Sequence, residues 1–573
     1  MTDDHMEWRG GRRVFKEIDI VDIEDDALLA TYRQHFQPST GVVGTPEDDF
    51  AISHTINFAR RLLRGGHAAD VAQAETILDR LLDRQEANRG RFQLRTGNPA
   101  NKDRNTPVFV LPHLSRLIRE CRSSLRDDLA ARLDAAFDLT VTALERRWDE
   151  EIFVPHRDFK YYSNIFVEYA RNLLLASELR EDDRLRRKSE AQWTRWFNHV
   201  AYHGVDEFMS PRYSEIDIDA VADMHERTSS ERIRRQCALV LDYLFAAGHG
   251  SHHPRLEMPV CGASRDYRQY RVPGQGHLAY VGGESVGSYR APTSVLQEYR
   301  ERVFPFEMRG RATNVPFQFR SWQIETAGVG SATGGNYFPQ SVMCMASVGR
   351  GPEERAFMSM PGLTSFVNGF VDHQGPEAFC VFGRTPTSLT RAERSIADAE
   401  VTHRDLTMES PSRAIYRWVG TIAASPNWDQ VANEAGRLVL RAYGHDVYIF
   451  PYFLEGDAVM PAQLRKGPPL EEGDAAADGL ELYYFDHEPD WFGFHLVLAD
   501  EQARCPAPSI SLSRTDRVTT WRCGTRFSVR LFEYPTGEVR ELYDFDWRTT
   551  PLLECPGYTL WPGELAARSA DFT

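Results

Sequence analysis

The chain has 573 residues and a mass of 65.4 kDa, enough for roughly two to four domains that each bury a core. Its formal charge of −16 and pI of about 5.6 exclude nucleic acid as a partner, because phosphate binding needs a basic face. No apolar run reaches the ~18 residues of a membrane span.

The start, Met1 to Arg9, carries no apolar stretch of the kind that directs export, so the reading expects a cytoplasmic protein. Hydrophobic residues make up 42% and charged residues 26%, as in an ordinary globular protein. The eight cysteines (121, 237, 261, 344, 380, 505, 523 and 555) form no Cys-x-x-Cys pair. Free thiols are expected, and no metal or other cofactor is called for.

Helical spacing dominates the first half. Apolar residues recur every three or four positions over 51–63, 71–82, 108–118, 129–144, 165–179, 191–202 and 233–245. Asp182 and Ser230 stand where helix caps belong. The Arg-rich points Arg60-Arg61, Arg146-Arg147 and Arg184 to Lys188 read as solvated helix faces. Helices in series with short links imply antiparallel hairpins that close into a ring or stack. From about Phe304 the pattern turns to strands: 317–326, 341–348, 447–454, 494–498 and 527–534, with Pro468 to Gly479 as an exposed loop. The chain therefore reads as α+β, with helical hairpins over 1–300 and an antiparallel β-sandwich over 301–573.

Several segments carry side chains suited to chemistry. Tyr161-Tyr162-Ser163-Asn164 opens a helix, where an Asn amide can bind a carboxylate or an enolate-like oxygen; capping is its bland alternative. Glu207-Phe-Met-Ser-Pro-Arg-Tyr213 places a phenol just after a Ser-Pro turn, with Arg212 next to it. Asp217 and Asp219 read as first-turn acids of the helix that follows, favoured there by its dipole. His225 ends that helix. His249-Gly-Ser-His-His253 reads as a mobile, solvated loop sooner than a metal site. Ser264-Arg265-Asp-Tyr267-Arg268 offers guanidiniums for a carboxylate, or a salt bridge between domains.

Together, Tyr161 to Ile165, Glu207 to Tyr213 and Tyr337-Phe-Pro-Gln-Ser341 before a strand resemble the polysaccharide lyases with an α/α toroid and an antiparallel β-sandwich: the heparinase, chondroitin AC lyase and alginate lyase group. The resemblance implies β-elimination at a uronic-acid unit of an acidic oligosaccharide or polysaccharide. Asn164 matches the residue that neutralises the carboxylate, and Tyr213 the acid/base. In this group a His often follows the Asn, but here Ile165 does, so the histidine would come from His225, His203, His252 or His253. Arg265, Tyr267, Tyr162, Arg212 and His253 are the candidates for substrate binding. A homo-oligomer is compatible with this reading. Two rivals stay open: a glycoside hydrolase pairing Glu207 with Glu215, Asp217 or Asp219, and a carbohydrate-binding protein without catalysis.

Overall fold

The computed structural model describes residues 6–9, 12–15, 26–44, 51–85, 90–92, 105–148, 163–205, 211–263, 284–312, 317–333, 342–361, 367–384, 422–434, 436–467, 481–485, 491–501, 503–533, 539–541 and 550–570. After α1 (Asp26–His35) come four helical hairpins: α2 (Ala51–Gly65) with α3 (Ala68–Leu82), α4 (Thr106–Cys121) with α5 (Asp127–Arg146), α6 (Ser163–Arg180) with α7 (Asp183–His203), and α8 (Pro211–Arg227) with α9 (Glu231–Ser251). Local chemistry sets their ends. The Asp182 carboxylate accepts from the amides of Arg184 and Leu185, and the Ser230 hydroxyl from that of Ile233, so both expected caps are present. Pro211 opens α8, where its missing N–H costs nothing.

The hairpins form two layers. α2, α4, α6 and α8 pack side by side, while α3 packs on α5 and α7 on α9 behind them. Side-chain bonds fix the directions. Ser53 reaches Phe109 O and Asn57 reaches His113, both 56 positions apart, so α2 and α4 run parallel. Alternate helices therefore form an inner layer of parallel helices, the α/α pattern of a toroid, and all four begin at one end.

The second half is built from stacked antiparallel sheets. A ten-stranded sheet runs, in spatial order, Leu464–Lys466, Glu481–Phe485, Ile422–Ala424, Arg355–Pro361, Val342–Gly349, Ala327–Thr333, Phe317–Ile324, Phe306–Ala312, Leu553–Cys555 and Tyr558–Leu560. A seven-stranded sheet centred on Trp491–Asp500 and His445–Glu455 packs on one face of it, and a four-stranded sheet over 510–541 packs on the far side of that. The strand Glu377–Arg384 shows how two-residue periodicity makes the layers. Ala378, Cys380 and Phe382 enter the core toward the ten-stranded sheet, while Phe379 and Val381 enter the core toward the four-stranded one. The other face of the ten-stranded sheet offers Phe306, Met308 and Phe319 to the helical core. The chain is thus a mixed α+β protein with helical hairpins first and antiparallel sheets after, as the sequence pattern implies.

α9 meets the ten-stranded sheet closely, which corrects the reading of His249 to His253. They are no solvated loop: α9 runs on to Ser251, His252–His253 form a short strand, and all three histidines are buried. Gly250 explains the extension, because a Cβ there would stand 2.6 Å from the Met308 sulfur; glycine lets the helix lie on the strand. Arg302, just after α10 (Thr293–Arg300), fastens this junction. It pairs with Glu298 at 2.9 Å, donates to the carbonyls of His249 and His252, and lies over the Phe306 ring at 3.8 Å. The chain then returns: α11 (Glu564–Ala570) packs on α7 and α9, and Gln236 donates to the Ser569 hydroxyl at 3.1 Å.

Among the described residues, no helix is long and apolar enough to cross a membrane, and no group of three or more His, Cys, Asp and Glu is arranged to hold a metal ion. Two of the expected solvated arginines are interior instead. Arg60 is buried against Glu120 at 2.6 Å, and Arg147 is buried and donates to Asn105.

Candidate active site

The parallel inner layer brings two of the sequence candidates together. Asn164 lies in the first turn of α6 and Tyr213 in the first turn of α8, and these helices pack directly on one another. Their register can be read from the other end. Arg227 of α8 reaches Glu178 of α6, 49 positions earlier, at 3.5 Å. Asn164 and Tyr213 are also 49 positions apart, while the second tie, Arg171 to Asp223, spans 52, so the two residues stand within about one turn of each other at the starts of neighbouring helices. Axes of packed helices lie ~8–10 Å apart, about the span of one sugar ring with its contacts. Asn164 is 2% and Tyr213 7% exposed, so both are enclosed by what surrounds the helix starts. The first turns of parallel helices also present N–H groups and positive dipole ends, which favour a carboxylate.

His225 does not belong to this pair. It lies on α8 twelve positions beyond Tyr213, ~18 Å along the axis. Its Nδ1 is 3.2 Å from the Ser288 hydroxyl, its ring meets Tyr289 edge-on at 6.1 Å, and burial together with Arg234 pulls its pKa below the ordinary value. His253 is no substrate ligand either. Its ring is fully buried, Nε2 donates to Ile324 O at 2.7 Å, and Nδ1 accepts from the amides of Arg255 and Leu256. His252 is likewise interior, with Nδ1 2.7 Å from the Tyr299 hydroxyl. Of the four histidines considered for the base, His203 alone ends at the same face, as the last residue of α7, with its ring 5.1 Å from that of His199.

Asp217 and Asp219 are not first-turn acids, because α8 already begins at Pro211. Asp217 is fully buried and Glu215 nearly so. Glu207, Tyr162, Arg265 and Tyr267 lie outside the described residues, as do the side chain of Arg212, the segment Tyr337 to Ser341 and the loop Pro468 to Gly479.

Sequence reading missed a second set of polar residues, on the inner layer itself. α6 is buried continuously from Asn164 to Ala176, yet Asn164, Glu168, Arg171 and Asn172 recur along it at helical spacing. α2 does the same with His54, Asn57 and Arg60. The signal was available: a polar stripe within an otherwise apolar helix. Glu168 is pushed up to about 7 by burial, which Arg171 only partly offsets. His113 on α4, against Asn57 Oδ1 at 3.3 Å, is held well below the usual imidazole range by burial, with Arg116 adding to the effect. Trp148 stacks on Tyr169 at 4.1 Å and meets Phe166 edge-on, stiffening this part of α6.

No family model and no curated protein matches the sequence. Solved structures do match over most of the chain. Heparinase III is 7% identical, with 92% of this chain and 93% of that one covered and a TM-score of 0.44. The chondroitin AC lyase of Streptomyces coelicolor A3, in complex with chondroitin sulphate, is 11% identical, with 91% and 86% covered and a TM-score of 0.45. A heparan sulfate lyase HepC mutant from Pedobacter heparinus is 8% identical, with 92% and 90% covered and a TM-score of 0.38. At these identities no residue role is carried over. These three solved structures are of a heparinase, a chondroitin AC lyase and a heparan sulfate lyase, and the likeness is one of fold alone.

Proposed function

We propose that this protein is a polysaccharide lyase that cleaves a uronic-acid-containing glycan by β-elimination. The observation that supports the reading is that Asn164 and Tyr213 lie in the first turns of adjacent parallel helices. The Asn164 amide donates to the uronate carboxylate, and the nearby helix starts add positive potential. With that charge neutralised, the proton on C5 becomes acidic enough to remove. The Tyr213 phenolate takes it, and the same phenol returns a proton to the departing glycosidic oxygen, so one group serves as base and then acid. This assignment suits a chain in which Ile165 follows the Asn and the histidines at 225, 252 and 253 are engaged elsewhere.

The test is ultraviolet absorbance of a 4,5-unsaturated product on alginate, glucuronan, heparinoid and chondroitin oligomers. We expect product with at least one, a loss of about 10²–10⁴-fold in Tyr213→Phe, and about 10²–10³-fold in Asn164→Ala. Folded protein that forms no unsaturated product on any of them would overturn the reading. The hydrolase alternative predicts saturated products and a dead Glu207→Gln variant.

A further inference from the structure

The ends of the inner helices remote from Asn164 and Tyr213 are joined by a belt of ion pairs. Glu120 of α4 takes Arg60 of α2 at 2.6 Å and Arg64 at 3.9 Å. Arg119 of α4 reaches Glu178 of α6 at 3.4 Å, and Arg227 of α8 reaches the same Glu178 at 3.5 Å. Arg227 also lies 3.8 Å from Asp223 on its own helix. The belt closes on Arg171 of α6, which donates to Glu168 one turn earlier and stands 3.6 Å from Asp223 of α8.

Two of the ties that hold α8 against α6 differ in burial. Arg227 and Glu178 have side chains 20% and 28% exposed, so water and salt screen that pair. The Arg171 side chain is 2% exposed and Asp223 15%, so their attraction acts through a drier medium. Arg171 also follows Asn164 by seven positions, two turns along the same polar stripe. A slip of one residue between the helices moves a side chain ~1.5 Å along the axis. Misplacement by ~1 Å in a reacting pair costs on the order of 10²-fold in rate.

We propose that Arg171 is a positioning residue for the elimination: by bridging Glu168 of α6 to Asp223 of α8 it holds α8 against α6 and so keeps Tyr213 in place relative to Asn164. This rests on the lyase reading above. Arg171 acts through the length of the two helices.

The experiment compares wild type with Arg171→Met, Arg171→Lys and Asp223→Asn, by steady-state kinetics and by amide hydrogen exchange over residues 212–217. Exchange over 233–245 of α9 serves as the internal reference. We expect Arg171→Met to lower kcat about 10–100-fold with KM within about twofold, and to speed exchange over 212–217 about tenfold while the α9 reference stays put. Lysine keeps one charge but cannot span both carboxylates, so Arg171→Lys recovers part of kcat. Wild-type kcat and wild-type exchange in Arg171→Met would overturn the proposal, and so would equal acceleration in α8 and α9. If Arg171→Met does not fold, Arg171→Lys and Asp223→Asn decide by the same readouts. If wild type eliminates no glycan, the lyase reading fails while the exchange at 212–217 still decides whether Arg171 positions α8.

Discussion

His249 binds Phe245 O through Nδ1, His253 uses both ring nitrogens as described, and His373 lies between the Ser331 hydroxyl and Gly375 O, and burial makes each of them a poor base. The first two are lowered to about 4 and the third to about 3. A depressed imidazole stabilises the folded state above the unfolded value of 6.5 and loses that contribution as pH falls, because only the unfolded chain then takes the proton. Each such shift, at ~1.4 kcal/mol per unit, is on the order of 3 kcal/mol by pH 4. We therefore expect stability in urea to fall steeply between pH 6.5 and 4. His253→Ala should cost about 1–3 kcal/mol at pH 7.5, because it strands the Ile324 carbonyl and two amides. The same variant should keep wild-type kcat; a selective loss of activity would return His253 to the site. Histidine identity alone told nothing here. What separates His203 from His253 is which face of the fold each one ends on, and five residue letters cannot carry that.

Among the elements, the helices were most readable where burying one face forces a three-to-four spacing, as over 68–82 and 127–146. The end of α9 was not readable, because Gly248 and Gly250 look like a loop until the strand bearing Met308 is laid against them. The polar stripe of α6 hid in a run that reads as core. Its Glu168 is a testable consequence. A carboxyl raised to about 7 stabilises the folded state below its unfolded value near 4.5 and loses that contribution as pH rises through about 7. Glu168→Gln cannot ionise, so the difference in unfolding free energy between variant and wild type should shift in the variant's favour from pH 5 to pH 8. A difference that stays constant over that range would show that Glu168 titrates normally.

At the scale of the whole molecule, the change of pattern near residue 300 showed that helices give way to strands. It did not show that the sheets stack three deep or that the last helix returns to α7 and α9, since both depend on contacts between residues hundreds of positions apart. Arg302 carries much of the junction. Replacing it with Met leaves Glu298 and two backbone carbonyls without their cation, at a cost of about 3–5 kcal/mol. We expect Arg302→Met to split a single unfolding transition into two, seen by differential scanning calorimetry; one unbroken transition at the wild-type midpoint would show that the sheet and helical cores are coupled without it. The returning helix has a further consequence in time. The Gln236–Ser569 contact spans 333 positions. A ribosome adding ~5–20 residues per second needs roughly 17–70 s between the two. Throughout that interval the nascent helices lack the cover that Leu565 later gives to their apolar face.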